Sequence, residues 1–177
     1  MTSVPDPELA TLNEAIRLRG LFIHRYSGIE FSVSELIMRA REHVTYRAIG
    51  DLPKSWKSKR NRLKELVEVD GPIKAYGPEL RAKFNDFDTF ETKRHFLVHG
   101  MMAIPRDTTD RTTLAFAMYD HRPISGSDRR KSEVHAGTLE MNLETLDEFV
   151  ASLQPISTDF TALVARICRE VLFPGTE

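Results

Sequence analysis

Apolar residues recur every three or four positions along most of the chain, which predicts a mainly α-helical protein. The first such run extends from about Glu8 to Tyr46 and predicts one long helix. Its buried face is expected to comprise Leu12, Ile16, Gly20, Ile23, Tyr26, Val33, Ile37, Ala40 and Val44.

Two further helices are predicted between breaks that contain Gly and Pro. Pro53 suits the first turn of the second helix, which ends before Asp70-Gly71-Pro72. The third helix begins near Gly77-Pro78 and runs to about Ala103, because a helix normally stops before a proline such as Pro105. Its apolar stripe is aromatic, and we expect core positions for Phe84, Phe87 and Phe90.

The period of the pattern changes to two between Thr112 and Tyr119, which predicts a β-strand. Residues 132–141 can pair with it as the second strand of a hairpin. The last helix opens at Asn142, a favourable N-cap residue, and is expected to kink at Pro155. The sequence thus predicts a single domain over residues 1–177, with four helices and a small β-hairpin between the third and the fourth.

The composition fits a folded domain and excludes disordered, collagen-like and disulfide-rich chains. Of the 177 residues, 41% are hydrophobic and 29% are charged. The single cysteine, Cys168, has no partner within the chain, which favours a reducing compartment. The N-terminal sequence lacks a secretory pattern, and no stretch approaches the ~18 apolar residues of a membrane helix. We therefore expect a cytoplasmic protein that does not bind a membrane.

The net charge of −1 hides a strongly basic stretch on the second helix. Subtracting its six cations leaves −7 for the rest of the chain, so the average does not exclude nucleic acid. This stretch predicts an RNA-binding surface on which Trp56 stacks against a base, whereas the usual arrangement is a solvated face with Trp56 in the core. The six cations are Lys54, Lys57, Lys59, Arg60, Arg62 and Lys64.

Most candidate catalytic side chains lie between Glu91 and Gly100. Arg94 and His99 have the spacing Arg-x4-His, but that spacing alone carries little weight because it occurs twice more, at Arg19/His24 and Arg130/His135. The Arg94/His99 pair differs from the other two in its setting. A polar residue and three apolar residues separate Arg94 from His99, a glycine follows, and the segment lies late on an aromatic-striped third helix.

This setting resembles the signature of HEPN domains, in which an Arg, a polar residue, three further residues and a His lie on the third helix of a four-helix up-and-down bundle. His95 occupies the polar position, where Asn is common. The resemblance implies a metal-independent endoribonuclease, without a cofactor, whose catalytic residues are Arg94 and His99 with His95. It also implies a homodimer in which two motifs share one cleft. A toxin–antitoxin or phage-defence role, with an inhibitor protein as partner, follows from the same resemblance.

The residue types suit that chemistry. A neutral His99 can take the proton of a ribose 2′-hydroxyl, which then attacks its own phosphodiester and leaves a 2′,3′-cyclic phosphate. Arg94 can hold the phosphate as negative charge builds. Five helical residues advance by about 500°, so the two side chains start roughly 140° apart, and a shared cleft relaxes that constraint. Alternatively, Arg94 pairs with an acid and His99 caps the helix end, giving a non-catalytic helical module that binds RNA, a nucleotide or a protein.

Two other features of the sequence bear on the candidate site. Glu30 falls on the apolar stripe of the first helix, where a carboxylate is costly to bury. We expect it either to orient Arg94 or a histidine across the bundle, or to reach water through a bend near Gly28. Glu91, His95 and His99 step by four and share one helix face, and His-x3-His is a metal-ligand spacing. A small helical metal-binding protein is therefore a third hypothesis.

Overall fold

The computed structural model describes residues 6–106, 110, 112–123 and 132–172. Within these residues the protein is mainly helical, with a small antiparallel sheet. The elements are α1 (Pro7–Glu42), α2 (Trp56–Glu68), α3 (Gly77–Asp88), α4 (Glu91–His99), β1 (Met101–Ala103), β2 (Thr113–Pro123), β3 (Ser132–Asn142) and α5 (Leu143–Ile167). Short 3-10 helices cover Val44–Ile49 and Pro72–Tyr76, and a π-helical turn covers Cys168–Leu172.

The first half of α1 buries a different face from the one predicted. Ile16 is 59% exposed and Gly20 is exposed, whereas Ala15, Leu18 and Phe22 are buried. Two apolar stripes compete in this part of the sequence. The structure buries the one that contains the Phe22 ring, which removes more apolar surface from water. In the second half of α1 the prediction is confirmed, with Tyr26, Val33, Ile37 and Ala40 all buried, but it is wrong for Val44, which is 73% exposed at the start of the 3-10 helix that follows.

The first helix is also shorter than predicted. It ends at Glu42, and the His43 side chain accepts a hydrogen bond from the Thr45 N–H, which starts the 3-10 helix Val44–Ile49. Tyr46 is fully buried in that helix, and its hydroxyl accepts a hydrogen bond from the Ile73 N–H at 2.7 Å. A local side-chain cap therefore replaces the last turn of the predicted α-helix.

The second helix begins three residues after Pro53, so the proline precedes the helix instead of occupying its first turn. Ser55 is the N-cap, and its hydroxyl accepts from the Ser58 N–H at 3.2 Å. The serine satisfies one of the amide groups that the helix start leaves without a partner. The apolar side of this helix, with Leu63, Leu66 and Val67, is buried.

The prediction of one continuous third helix is wrong. The chain forms α3 and α4 instead, and Thr89 and Phe90 lie between them with helical backbone angles. The Thr89 hydroxyl donates to the Asp86 carbonyl at 2.8 Å, a local bond that competes with the helical ladder. Phe84, Phe87 and Phe90 are buried, as expected of core residues.

The sheet has three strands in the order β1-β2-β3, one more than predicted. The predicted hairpin forms, with Leu114 opposite Met141 and Phe116 opposite Leu139. The added strand is Met101–Ala103, which was expected to be helical but pairs with β2. Leu114 and Phe116, which alternate along β2, are fully buried, whereas Met118 further along the same face is partly buried.

The last helix begins as predicted. The Asn142 side chain accepts a hydrogen bond from the Thr145 N–H at 2.7 Å, the contact expected of an N-cap. α5 continues through Pro155 to Ile167. Among the described residues, no helix combines the length and the apolar character needed to cross a bilayer.

The chain divides into two compact units, each of which is described by itself. One comprises Met1–Ile23 and Phe90–Ala151, and the other comprises His24–Thr89 and Ser152–Glu177. The segment with Arg94, His95 and His99 belongs to the first unit. Glu30 and the basic stretch of α2 belong to the second.

Candidate functional site

An aromatic cluster holds the beginning of α4. The Phe90 ring lies 4.9 Å from the Phe149 ring, which in turn stacks at 5.5 Å on Phe22. The Lys93 ammonium lies 4.6 Å from the centre of the Phe149 ring, a cation–π contact. One turn further on, Leu97 is fully buried. These contacts determine which face of α4 is left to solvent.

Arg19 of α1 holds the end of α4. Its Nε donates to the Leu97 carbonyl at 2.5 Å, and a terminal nitrogen donates to the Val98 carbonyl at 3.1 Å. The last carbonyls of a helix lack partners within the helix and carry partial negative charge, so an arginine stabilises them in both respects. The sequence predicts no such role for Arg19, which draws attention there only as a member of an Arg-x4-His pair. No local pattern could reveal it, because 78 residues separate the partners.

Gly100 turns the chain from α4 into β1 beside the sheet. Its backbone is extended, with φ −71° and ψ 144°, and its N–H donates to the Phe96 carbonyl at 2.7 Å. A Cβ atom on Gly100 would lie 2.5 Å from the Phe96 carbonyl oxygen and 3.3 Å from the Phe116 Cβ. The close approach explains a glycine here and fixes the position of the preceding residue, His99.

The two histidines of α4 are exposed and lie together. Their ring centres are 5.2 Å apart in an edge-to-face arrangement, as their spacing of four residues predicts. Arg94 is partly buried, and its Nε is inaccessible to solvent. The segment therefore brings His95 and His99 together on the exposed surface, while Arg94 extends from a more enclosed position.

The surroundings of His99 lower the pKa of its imidazole below the ordinary value of 6.5. Partial loss of hydration is the largest cause, although much of the side chain remains exposed, and the positive charges of His95, Arg94 and Arg19 act in the same direction. A lowered pKa keeps His99 neutral near pH 7. A neutral imidazole that is open to solvent can accept a proton from a bound substrate.

Of the three proposed metal ligands, the structure brings only His95 and His99 together. Within the part of the chain that the structure describes, no three His, Cys, Asp or Glu side chains lie close enough together to hold a metal ion. Glu91 thus does not complete a ligand set with His95 and His99. A structural metal site normally needs four ligands and a catalytic one three.

Glu30 is partly buried, and α1 runs through Gly28 and Glu30 without interruption. The Ser34 hydroxyl donates to the Glu30 carbonyl at 2.8 Å. The expected orienting role toward Arg94 stays a prediction, because the two residues belong to different units.

Two arginines of the basic stretch make structural contacts. Arg60 binds Asp88 at 2.6 Å, and Arg62 binds Glu65 at 2.9 Å and donates to the Ile49 carbonyl. The four lysines differ, since their ammonium groups make no hydrogen bond or ion pair with the described residues. They are Lys54, Lys57, Lys59 and Lys64.

Trp56 packs against aromatic side chains of its own unit. Its ring lies 5.2 Å from Phe87, 6.0 Å from Tyr26 and 6.4 Å from Phe84. Trp56 is partly buried, and these ring contacts agree with the alternative in which it packs on the core. Of the other two Arg-x4-His pairs, one contains Arg19, which caps α4, and the other contains Arg130, which lies outside the described residues.

The arrangement at the end of α4 can hold an anion and accept a proton. Arg19, Arg94 and His95 supply positive charge or hydrogen-bond donors around a neutral His99. No protein-family model, curated protein or solved structure shows significant similarity to this chain.

Proposed function

We propose that the protein is a metal-independent endoribonuclease of the HEPN type, which cleaves RNA to 2′,3′-cyclic phosphate and 5′-hydroxyl ends. The observation that carries the proposal is the exposed His99 imidazole, kept neutral beside Arg94 and His95 at the end of α4. A general base for the 2′-hydroxyl needs this protonation state and this access to solvent.

In the proposed reaction His99 takes the proton of the ribose 2′-hydroxyl. The 2′-oxygen attacks the adjacent phosphorus, the bond from phosphorus to the 5′-oxygen breaks, and the departing 5′-oxygen takes a proton from water to become the 5′-hydroxyl. Arg94 stabilises the charge that develops on the phosphate oxygens, and His95 donates a hydrogen bond to the same group. DNA lacks the attacking hydroxyl, so selectivity for RNA follows from the chemistry.

The proposal includes an assembly. On a straight helix Arg94 and His99 start roughly 140° apart, which favours a cleft built from two copies of the segment. We therefore propose a homodimer of four-helix up-and-down bundles. A cytoplasmic toxin or defence component, controlled by an inhibitor protein, is the biological setting that the HEPN resemblance implies.

The four lysines that make no hydrogen bond or ion pair with the described residues are the proposed RNA-binding surface, with Lys54 just before α2 and the other three within it. Each lysine that contacts a phosphate contributes about one unit to the slope of log K against log salt concentration. The double variant Lys54→Glu/Lys57→Glu should therefore reduce that slope by about two and weaken binding of all RNA sequences alike. A filter-binding series between low and moderate salt measures both quantities.

The decisive experiment is cleavage of end-labelled RNA in the presence of EDTA. We expect cleavage by the wild type, and a loss of about 10²–10⁴-fold in Arg94→Ala and His99→Ala. Arg47→Ala and His43→Ala are matched controls in the other unit, and both should retain full activity. RNA with 2′-O-methyl groups should remain uncut, and the products should carry a cyclic phosphate.

Other outcomes would identify other functions. RNA binding without cleavage by the wild type would favour the non-catalytic helical module, which could also bind a nucleotide or a protein. Stoichiometric zinc that disappears in His95→Ala would favour the metal-binding hypothesis. Cleavage of DNA, or cleavage that EDTA abolishes, would contradict the proposed mechanism.

A further inference from the structure

A cavity of about 240 Å³ opens beside the histidine pair, within the first unit. One wall is the exposed side of α4, and the other is the far part of the β2–β3 hairpin. His95 therefore borders both this cavity and the His99 imidazole. The side chains and backbone that form it include Thr92, His95, Phe96, Met118, His135 and Gly137.

The register of the hairpin explains the shape of the cavity. Met118 is opposite Gly137, and since Gly137 has no side chain, the Phe96 ring lies 3.2 Å from the position that a Cβ atom would occupy. His135 lies two residues along β3 from Gly137 and hence on the same face of the sheet. The cavity is thus a slot with an aromatic ring and a thioether inside and an imidazole on either side.

We propose that this slot binds one nucleobase of the RNA, that of a nucleotide next to the phosphate held at His99. The inference rests on the proposed function, and it names the substrate feature that the site recognises. Its volume lies just below the ~300–1,000 Å³ typical of sites for drug-sized ligands, so it suits a single flat ring system.

The lining matches what single-stranded RNA offers. Proteins bind unstacked bases by stacking them on Phe or His rings and by hydrogen bonds to the base edges. Phe96 supplies such a ring, while Thr92 and the His95 and His135 imidazoles supply donors and acceptors. Contacts to phosphate position RNA, whereas contacts to bases specify it, so the slot gives cleavage a preference for the base next to the cut.

Binding of uncleavable RNA tests the slot apart from catalysis. The probes are four 2′-O-methyl tetranucleotides, each of a single base type, titrated while the histidine ring signals are followed by NMR. We expect the His95 and His135 signals to shift together, and the affinities of the four probes to differ by about tenfold. Thr92→Trp fills the slot and should weaken the best probe by about tenfold. Thr138→Trp, an exposed position on the other face of β3, is the matched control and should bind normally.

A second variant protects the test against misfolding of the first. His135→Phe keeps a ring but removes its polar nitrogen atoms, so it should bind all four probes with similar affinity. The slot is refuted if no probe binds, if the His135 signal does not move, or if Thr92→Trp and Thr138→Trp bind equally well. If the slot binds the probes but the protein cuts no RNA, the nuclease proposal is refuted and the slot stands. If the protein cuts RNA without any base preference, the slot is refuted and the nuclease proposal stands.

Discussion

The turn at Gly100 gives the sharpest test of how α4 meets the sheet. In Gly100→Ala the new Cβ would lie 2.5 Å from the Phe96 carbonyl oxygen, closer than real Cβ atoms approach any heavy atom. That oxygen is backbone and already accepts the Gly100 N–H at 2.7 Å. On another side the Cβ of the fully buried Phe116 lies 3.3 Å away. The methyl group can be accommodated only if the end of α4 moves.

Such overpacking typically costs about 1–3 kcal/mol. For a chain of 177 residues, each kcal/mol lowers Tm by about 2–4 °C, so we expect a fall of about 2–12 °C. The movement also displaces His99, so cleavage of RNA should fall by more than the loss of folded protein explains.

The matched control is the same substitution in α1. Gly20 is exposed and helical, and apart from its neighbours and the backbone of its own helix no heavy atom of the described residues lies within 4 Å of an added Cβ. Gly20→Ala should therefore stabilise the protein by about 0.5–1 kcal/mol, because alanine is the better helix former. Thermal unfolding followed by circular dichroism measures both variants. A Gly100→Ala protein as stable as the wild type, or stabilised like Gly20→Ala, would refute the described junction between α4 and β1.

Three further predictions concern the ends of the helices and the histidine pair. Asn142→Ala removes the N-cap of α5 and should cost about 1 kcal/mol in urea unfolding, whereas Asn142→Asp should cost much less. In Arg19→Lys the ammonium cannot donate to the Leu97 and Val98 carbonyls as the guanidinium does, so hydrogen exchange of the Gly100 amide should accelerate. The control is Arg17→Lys, at an exposed residue paired with Glu14, which should leave that exchange unchanged. The pKa of His99, measured by NMR, should lie below 6.5, and His95→Gln should raise it part of the way to 6.5, since loss of hydration is the larger cause. The folded state then binds fewer protons at His99 than the unfolded state, so the stability that this group contributes is lost as pH falls below 6.5. Because the proposed base must be neutral, cleavage should rise with pH to a plateau near neutrality. A pKa above 6.5 would contradict the described surroundings.

The sequence predicted those elements whose signals are local. The hairpin followed from alternation through Leu114 and Phe116, and the start of α5 followed from Asn142, because each signal acts over a few residues. The face of α1 was harder to predict, since two stripes of similar apolar content compete between Ala15 and Phe22. Periodicity predicts that one face of the helix is buried, but it does not compare the apolar surface area that each stripe would remove from water.

The errors in the third helix arise from contacts that periodicity does not contain. A threonine hydroxyl bonded to the Asp86 carbonyl helps end α3, and the same residue type is tolerated in many helix interiors. The strand Met101–Ala103 exists because β2 offers it hydrogen-bond partners, and the sequence of these three residues does not itself favour a strand. Pairing with a distant segment overrides local preference here.

The candidate site shows the same division between local and distant causes. The proximity of His95 and His99 follows from a spacing of four on one helix, and the sequence predicted it. The proton affinity of His99 does not follow from that spacing alone. It depends on partial burial and, in decreasing order, on the positive charges of His95, Arg94 and Arg19. Of these, Arg19 lies 78 residues from Leu97 and serves first to satisfy the last carbonyls of α4. A contact that stabilises a helix end thereby adds positive charge beside the proposed base, so Arg19 is expected to influence both the folding of α4 and the pH dependence of cleavage.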